Sequence, residues 1–103
     1  MNRYAPILAL TCVLTSIPTS AQDVQIDIKT FLYSPKDLTV PAGTTVTWIN
    51  DDQVPHTIVG VEKAFHSAAL DTGDQYSYTF KVKGVFEYFC TLHPQMIGRV
   101  VVD

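Results

Sequence analysis

From Val24 onward the apolar residues recur at every second position in short runs, and no stretch repeats them at helical spacing over more than a turn or two. Val24, Ile26 and Ile28 alternate with polar neighbours, as a half-buried strand requires. Tyr33-Ser34-Pro35 interrupts the pattern, Leu38-Thr39-Val40 resumes it, and Pro41-Ala42-Gly43 makes a turn before Thr45-Val46-Thr47-Trp48-Ile49. A polar loop over 50–55 leads to a short strand over 56–59 and then to a less regular section over 60–73. Three clear strands finish the chain, over 75–80 with Tyr76, Tyr78 and Phe80 on one face, over 85–90 and over 99–102. About seven or eight short strands separated by Gly and Pro predict an all-β fold, an antiparallel Greek-key sandwich or barrel.

Residues 1–21 read differently. Arg3 supplies a positive start, 5–17 carry no charge and are rich in Ile, Leu, Ala and Val, and Thr19-Ser20-Ala21 offers small residues for cleavage before Gln22. The expectation is an export signal over 1–21 and a single domain over 22–103, delivered to the periplasm. The apolar run is too short to span a bilayer, and Cys12 lies inside it, preceded by Thr11, which argues against a lipid attachment site. Removing 21 of the 103 residues leaves 82. A chain of that size buries roughly 60–65% of its unfolded surface, enough for one core and no more. Six basic residues then face ten acidic ones, a net charge of −4 without basic clusters, which argues against nucleic acid as a partner.

After processing only Cys90 remains, a lone thiol in a compartment that oxidises thiols. Either it is buried and inert, or something holds it. Its surroundings favour the second. Tyr88-Phe89-Cys90-Thr91-Leu92-His93-Pro94-Gln95-Met96 sets a thiolate, an imidazole and a thioether at three-residue intervals, three soft or borderline metal ligands. Cys90 ends a strand and is fixed by it, Pro94 keeps His93 extended, and Gly98 is expected to let the chain turn into the last strand.

A further ligand must come from elsewhere, and His56 is the candidate, since it follows Pro55 at the start of a strand on which it shares a face with Ile58. Phe86, Tyr88 and Cys90 likewise share a face, so His56 and Cys90 can meet at one end of a sandwich. Two histidines, one cysteinate and a weak methionine define blue copper electron-transfer sites.

On these residues the sequence resembles the cupredoxins. The Cys-x-x-His-x-x-Met spacing with its very short loop is similar to the amicyanin branch, as are Trp48-Ile49-Asn50, Pro55-His56, Tyr88-Phe89-Cys90 and Gly98-Arg99-Val100-Val101-Val102. The likeness covers nearly the whole of 22–103. It implies a cupredoxin-like Greek-key sandwich, one type 1 copper ion on His56, Cys90, His93 and Met96, and a monomeric one-electron carrier. It further implies redox protein partners, an amine dehydrogenase and a c-type cytochrome among them, and a role for Asn50 near the cysteine sulfur, linked to Thr91.

Each ligand taken alone has an ordinary reading, as a buried small hydrophobe, a gap-filling methionine or a surface histidine. Together they do not arise easily, because the whole supply of Cys and Met in 22–103 falls within seven residues around His93. Zinc would accept two His and one Cys, but the soft thioether favours copper. Four protein ligands leave no position for a substrate, which argues against an enzyme, and a multicopper enzyme would need further histidines where only His66 is left over. Copper storage or delivery is the alternative function. His66, Asp51 and Asp52 read as solvated loop residues, and Leu92, Pro94 and Met96 as an apolar surround to an exposed His93.

Overall fold

The computed structural model describes residues 23–103; the expected export signal lies outside the described residues. Eight strands run in chain order as β1 (Asp23–Lys29), β2 (Leu32–Ser34), β3 (Asp37–Val40), β4 (Thr44–Asn50), β5 (Val59–Gly60), β6 (Gln75–Phe80), β7 (Gly84–Phe89) and β8 (Ile97–Val102). Among the described residues there is no helix, so none that is long and apolar enough to cross a membrane.

The strands form two four-stranded sheets, one ordered β2-β1-β4-β6 and the other β3-β8-β7-β5. The all-β expectation holds, with one difference: the sandwich is mixed rather than wholly antiparallel. β1 pairs with β4 in parallel, from Asp23 opposite Thr45 to Ile28 opposite Asn50, and β3 pairs with β8 in parallel, from Asp37 opposite Arg99 to Val40 opposite Val102. The chain achieves this by leaving the first sheet after β2, adding β3 to the second, and returning on the far side of β1. Tyr33-Ser34, read from sequence as a break, belongs to the edge strand β2, antiparallel to β1.

The alternation of β4 is complete, with Thr44, Val46, Trp48 and Asn50 buried and their neighbours half-buried. Trp48 is the centre of the core, fully buried, its ring 5.3 Å from Tyr88, 5.9 Å from Phe65 and Tyr76 and 6.4 Å from Phe80. Ile26, Ile28, Val46, Ile58 and Val100 fill the space around it with no exposure. Gly98 does not serve as a turn. It sits inside β8 directly opposite Tyr88, and a Cβ there would collide with the Tyr88 ring, so glycine is required by close approach rather than by backbone angle.

Candidate metal centre

β7 ends at Phe89, and the next residue, Cys90, is fully buried. The six residues after it curl back on themselves through three backbone hydrogen bonds. His93 N–H donates to the Cys90 carbonyl at 3.3 Å, Met96 N–H to the His93 carbonyl at 2.9 Å, and Cys90 N–H to the Met96 carbonyl at 3.2 Å. The loop is therefore a closed unit on the end of the sheet, with His93 half-buried, Thr91, Leu92, Pro94 and Gln95 exposed and Met96 buried. Met96 is buried, yet it lines an apolar groove beside the centre together with His93. Leu92 is half exposed on the same loop, and Phe31, Leu32 and Ile97, which sequence reading had not assigned there, line the groove with His93.

His56 does not lie in a regular strand. It makes an isolated antiparallel bridge with Leu70, N–H to carbonyl in both directions at 3.1 and 2.8 Å. His56, Thr57 and Ile58 are all buried, so burial does not alternate along this segment. His56 nonetheless arrives where expected. Its Nδ1 is 3.8 Å from Cys90 Sγ, His93 Nδ1 is 3.6 Å from the same sulfur, and the donor atoms of His56, Cys90 and His93 all lie within 4.8 Å of one another.

These spacings suit a single ion. Bonds of about 2.0 Å to nitrogen and about 2.3 Å to sulfur, opened by about 120°, separate the two atoms by about 3.7 Å, and the observed 3.6 and 3.8 Å bracket that value. The sulfur is also prepared as a thiolate. Burial pushes the Cys90 thiol up, but the Thr57 N–H first, then both imidazoles and the Thr57 hydroxyl, outweigh it and bring the thiol down to about 6.

Two neighbours differ from expectation. Asn50 makes no hydrogen bond to Thr91; its amide is taken up by its own loop and by the Leu70 carbonyl. Its Nδ2 donates to the carbonyls of Val54 at 3.0 Å and Leu70 at 2.8 Å, and its Oδ1 accepts from Asp52 N–H at 2.9 Å. The tie between the two halves of the site is Thr57. Its N–H and hydroxyl approach Cys90 Sγ at 3.4 and 3.7 Å, and its Oγ1 accepts from Thr91 N–H at 2.8 Å and pairs with Thr91 Oγ1 at 2.9 Å. A hydroxyl directly after the first histidine was the only signal for it in the sequence.

Asp52 is not a solvated turn residue either. Its Oδ2 accepts from His56 Nε2 at 2.8 Å, which fixes the tautomer and leaves Nδ1 free to face the sulfur. The Phe31 N–H, helped by His56 and by the Thr30 N–H against some burial, holds the Asp52 carboxyl below the usual carboxylate range. His66 remains outside the site, exposed on its loop with its N–H donated to the Tyr76 hydroxyl at 3.1 Å. Beside the centre, Phe31, Leu32, Tyr33, His93, Met96 and Ile97 help line an apolar groove of about 760 Å³.

Residues 20–103 match the family of copper binding proteins described as plastocyanin/azurin. The chain is 36% identical over 102 residues to amicyanin of Paracoccus versutus, covering 88% of this chain and 76% of that one. It is 33% identical over 123 residues to plastocyanin of Prochlorothrix hollandica, covering 99% and 94% respectively. Among solved structures, a novel purple cupredoxin from Nitrosopumilus maritimus superposes with a TM-score of 0.74 at 40% identity, over 78% of this chain and 99% of that one. With its two-sheet fold and a cysteine and two histidines gathered at one end, the chain belongs to the plastocyanin/azurin family of copper-binding proteins, and copper is its cofactor.

Proposed function

We propose that the protein is an exported, periplasmic one-electron carrier whose copper is held by His56, Cys90 and His93, with Met96 as a weaker fourth donor. The observation that carries this is the convergence of three donor atoms at single-ion spacing on a sulfur already biased toward thiolate. Bound copper would supply the redox chemistry, passing between Cu(II) and Cu(I). The rest of the work belongs to the chain. Cys90 and His56, both fully buried, keep water from the site, while the bridge to Leu70 and the hydrogen bond to Asp52 hold His56 in one orientation. Such fixity suits a centre that must serve two oxidation states with little rearrangement.

His93, half-buried on the exposed loop, is the port for the electron. The apolar side chains around it suit the small, brief contacts that a shuttle needs in order to release its partner. Redox proteins are the partners, with an amine dehydrogenase as donor and a c-type cytochrome as acceptor the first pair to test.

The test is a titration with Cu(II) followed by voltammetry. Stoichiometric binding, an intense visible band lost in Cys90→Ser, and a reversible one-electron wave are the expected results. A colourless complex that yields its copper readily to a chelator and shows no reversible wave would overturn the carrier reading in favour of copper storage or delivery.

A further inference from the structure

The two residues joining β1 to β2 are held in a conformation that their side chains disfavour. Thr30 and Phe31 both lie in the left-handed region, at φ 51° and 60°, where a β-branched and an aromatic residue are rarely found. Phe31 is also a large apolar side chain left 48% exposed. Both features work against the turn, so something must hold it and its geometry must serve something.

What holds it is a carboxylate about twenty residues away in sequence. Asp52 Oδ1 accepts from Thr30 N–H at 3.1 Å and Oδ2 accepts from Phe31 N–H at 2.9 Å. The same Oδ2 accepts from His56 Nε2 at 2.8 Å. What the geometry serves is the position of the Phe31 ring, which stands nearly perpendicular to both imidazoles, 5.5 Å from His56 at 87° and 4.9 Å from His93 at 86°. Apart from Phe31, the His93 ring has the sulfur and the His56 ring as neighbours, and its loop is held by its own backbone hydrogen bonds and by the tie from Thr91 to Thr57.

We infer that Asp52 is the positioning residue for both imidazoles: it fixes His56 by direct hydrogen bond, and it fixes His93 without touching it, by clamping the strained Thr30–Phe31 turn that sets the Phe31 ring against His93. One carboxylate thereby spans the anchored and the exposed halves of the site. The consequence for copper rests on the ligand assignment proposed above, but the coupling lies within the protein and is measurable whether or not that assignment holds.

The experiment is NMR of the imidazole ring protons in the copper(I) protein, repeated on the metal-free protein. Phe31→Ala removes the aromatic ring and should shift the His93 resonances. Asp52→Asn should move them the same way, although residue 52 does not contact His93, and should speed hydrogen exchange at the Phe31 amide. Combining the two substitutions should add nothing further at His93. If Asp52→Asn alters His56 alone and leaves the His93 and Phe31 signals at their wild-type positions, the inference is wrong.

Should Asp52→Asn fail to fold, Phe31→Leu carries the test, because it leaves the carboxylate and all three of its donors in place. The His56 Nε2–H signal should then persist while the His93 ring signals shift; unshifted His93 signals would overturn the inference. Agreement between metal-free and copper(I) results in the absence of a visible copper(II) band would sink the carrier proposal and leave the coupling standing.

Discussion

The two histidines of the site are held in opposite ways. His56 is fully buried, bridged to Leu70 through its backbone and fixed at its far nitrogen by Asp52. His93 is half-buried on a six-residue loop held by its own backbone hydrogen bonds and tied to the rest of the fold through Thr91 and Thr57. One imidazole is part of the core and the other is part of the surface, yet both stand within 3.8 Å of the same sulfur. The contrast teaches that rigidity and access are divided between two residues here rather than compromised in one.

The largest expected effect comes from removing what the two halves share. Cys90→Ser should abolish the visible charge-transfer band entirely, read by absorption spectroscopy after adding Cu(II). In the metal-free protein it should also change the pH profile of stability. The Cys90 thiol is lowered from 9.0 to about 6 in the fold, so its stabilisation is present above the unfolded value and lost as pH falls through the folded one. Thermal melts should show wild type gaining stability from about pH 6 to pH 9 and Cys90→Ser lacking that gain.

Next comes the contrast itself. His56→Gly opens a buried cavity and removes one of the three donors to the Asp52 carboxylate, and should cost about 3 kcal/mol in the metal-free protein. His93→Gly should cost below about 1 kcal/mol, and added imidazole should restore a coloured copper complex in it but not in His56→Gly. Chemical denaturation and imidazole titration check both, and equal rescue of the two variants would erase the distinction.

A smaller effect is expected at the tie between the halves. Thr57→Val keeps the volume but loses the hydroxyl that approaches Cys90 Sγ and accepts from Thr91 N–H, at about 1–2 kcal/mol. With one donor to the sulfur gone, the thiolate donates more strongly and the reduction potential should fall, which voltammetry measures directly.

The smallest lies outside both halves and serves as a control. A hydrogen bond to Asp51, with burial and the Asp51 charge adding to it, raises the Asp27 carboxyl above its ordinary value. A raised carboxyl stabilises the fold below its unfolded pKa and loses that contribution as pH rises through the folded value. Asp27→Asn should therefore melt slightly higher than wild type at neutral pH and lose the advantage below about pH 4, with the copper spectrum unchanged.

Much of the centre was legible because Cys90, His93 and Met96 sit in one seven-residue window, where spacing alone suggests a common ion. His56 was reachable because its strand-like neighbours and Pro55 pointed it inward. Asp52 and Phe31 were not, since their contact depends on the direction in which β1 and β4 pair. Alternating hydrophobicity reports which face of a strand is buried but not whether its neighbour runs parallel. Only the parallel register, Ile28 opposite Asn50 with Asp51 N–H donating to the Ile28 carbonyl at 2.8 Å, brings the Thr30–Phe31 turn beside Asp52. Thr30 and Phe31 in the left-handed region run against local propensity and left no mark in the sequence. Gly98 was misread for a related reason: a glycine that makes room for Tyr88 and one that makes a turn look alike until the facing strand is known.

The parallel pairing has a kinetic consequence. β1 and β4 cannot zip together from a tight hairpin; the segment between Lys29 and Thr44 must first detour through the other sheet. The contacts that define the sandwich therefore reward the chain only after long loops have closed, and folding on the order of milliseconds to seconds follows. His56 and Cys90, 34 positions apart, meet only when both sheets are in place. On this topology copper is expected to bind a receptor that has already formed, and to stabilise it by mass action in proportion to how tightly the completed site grips the ion.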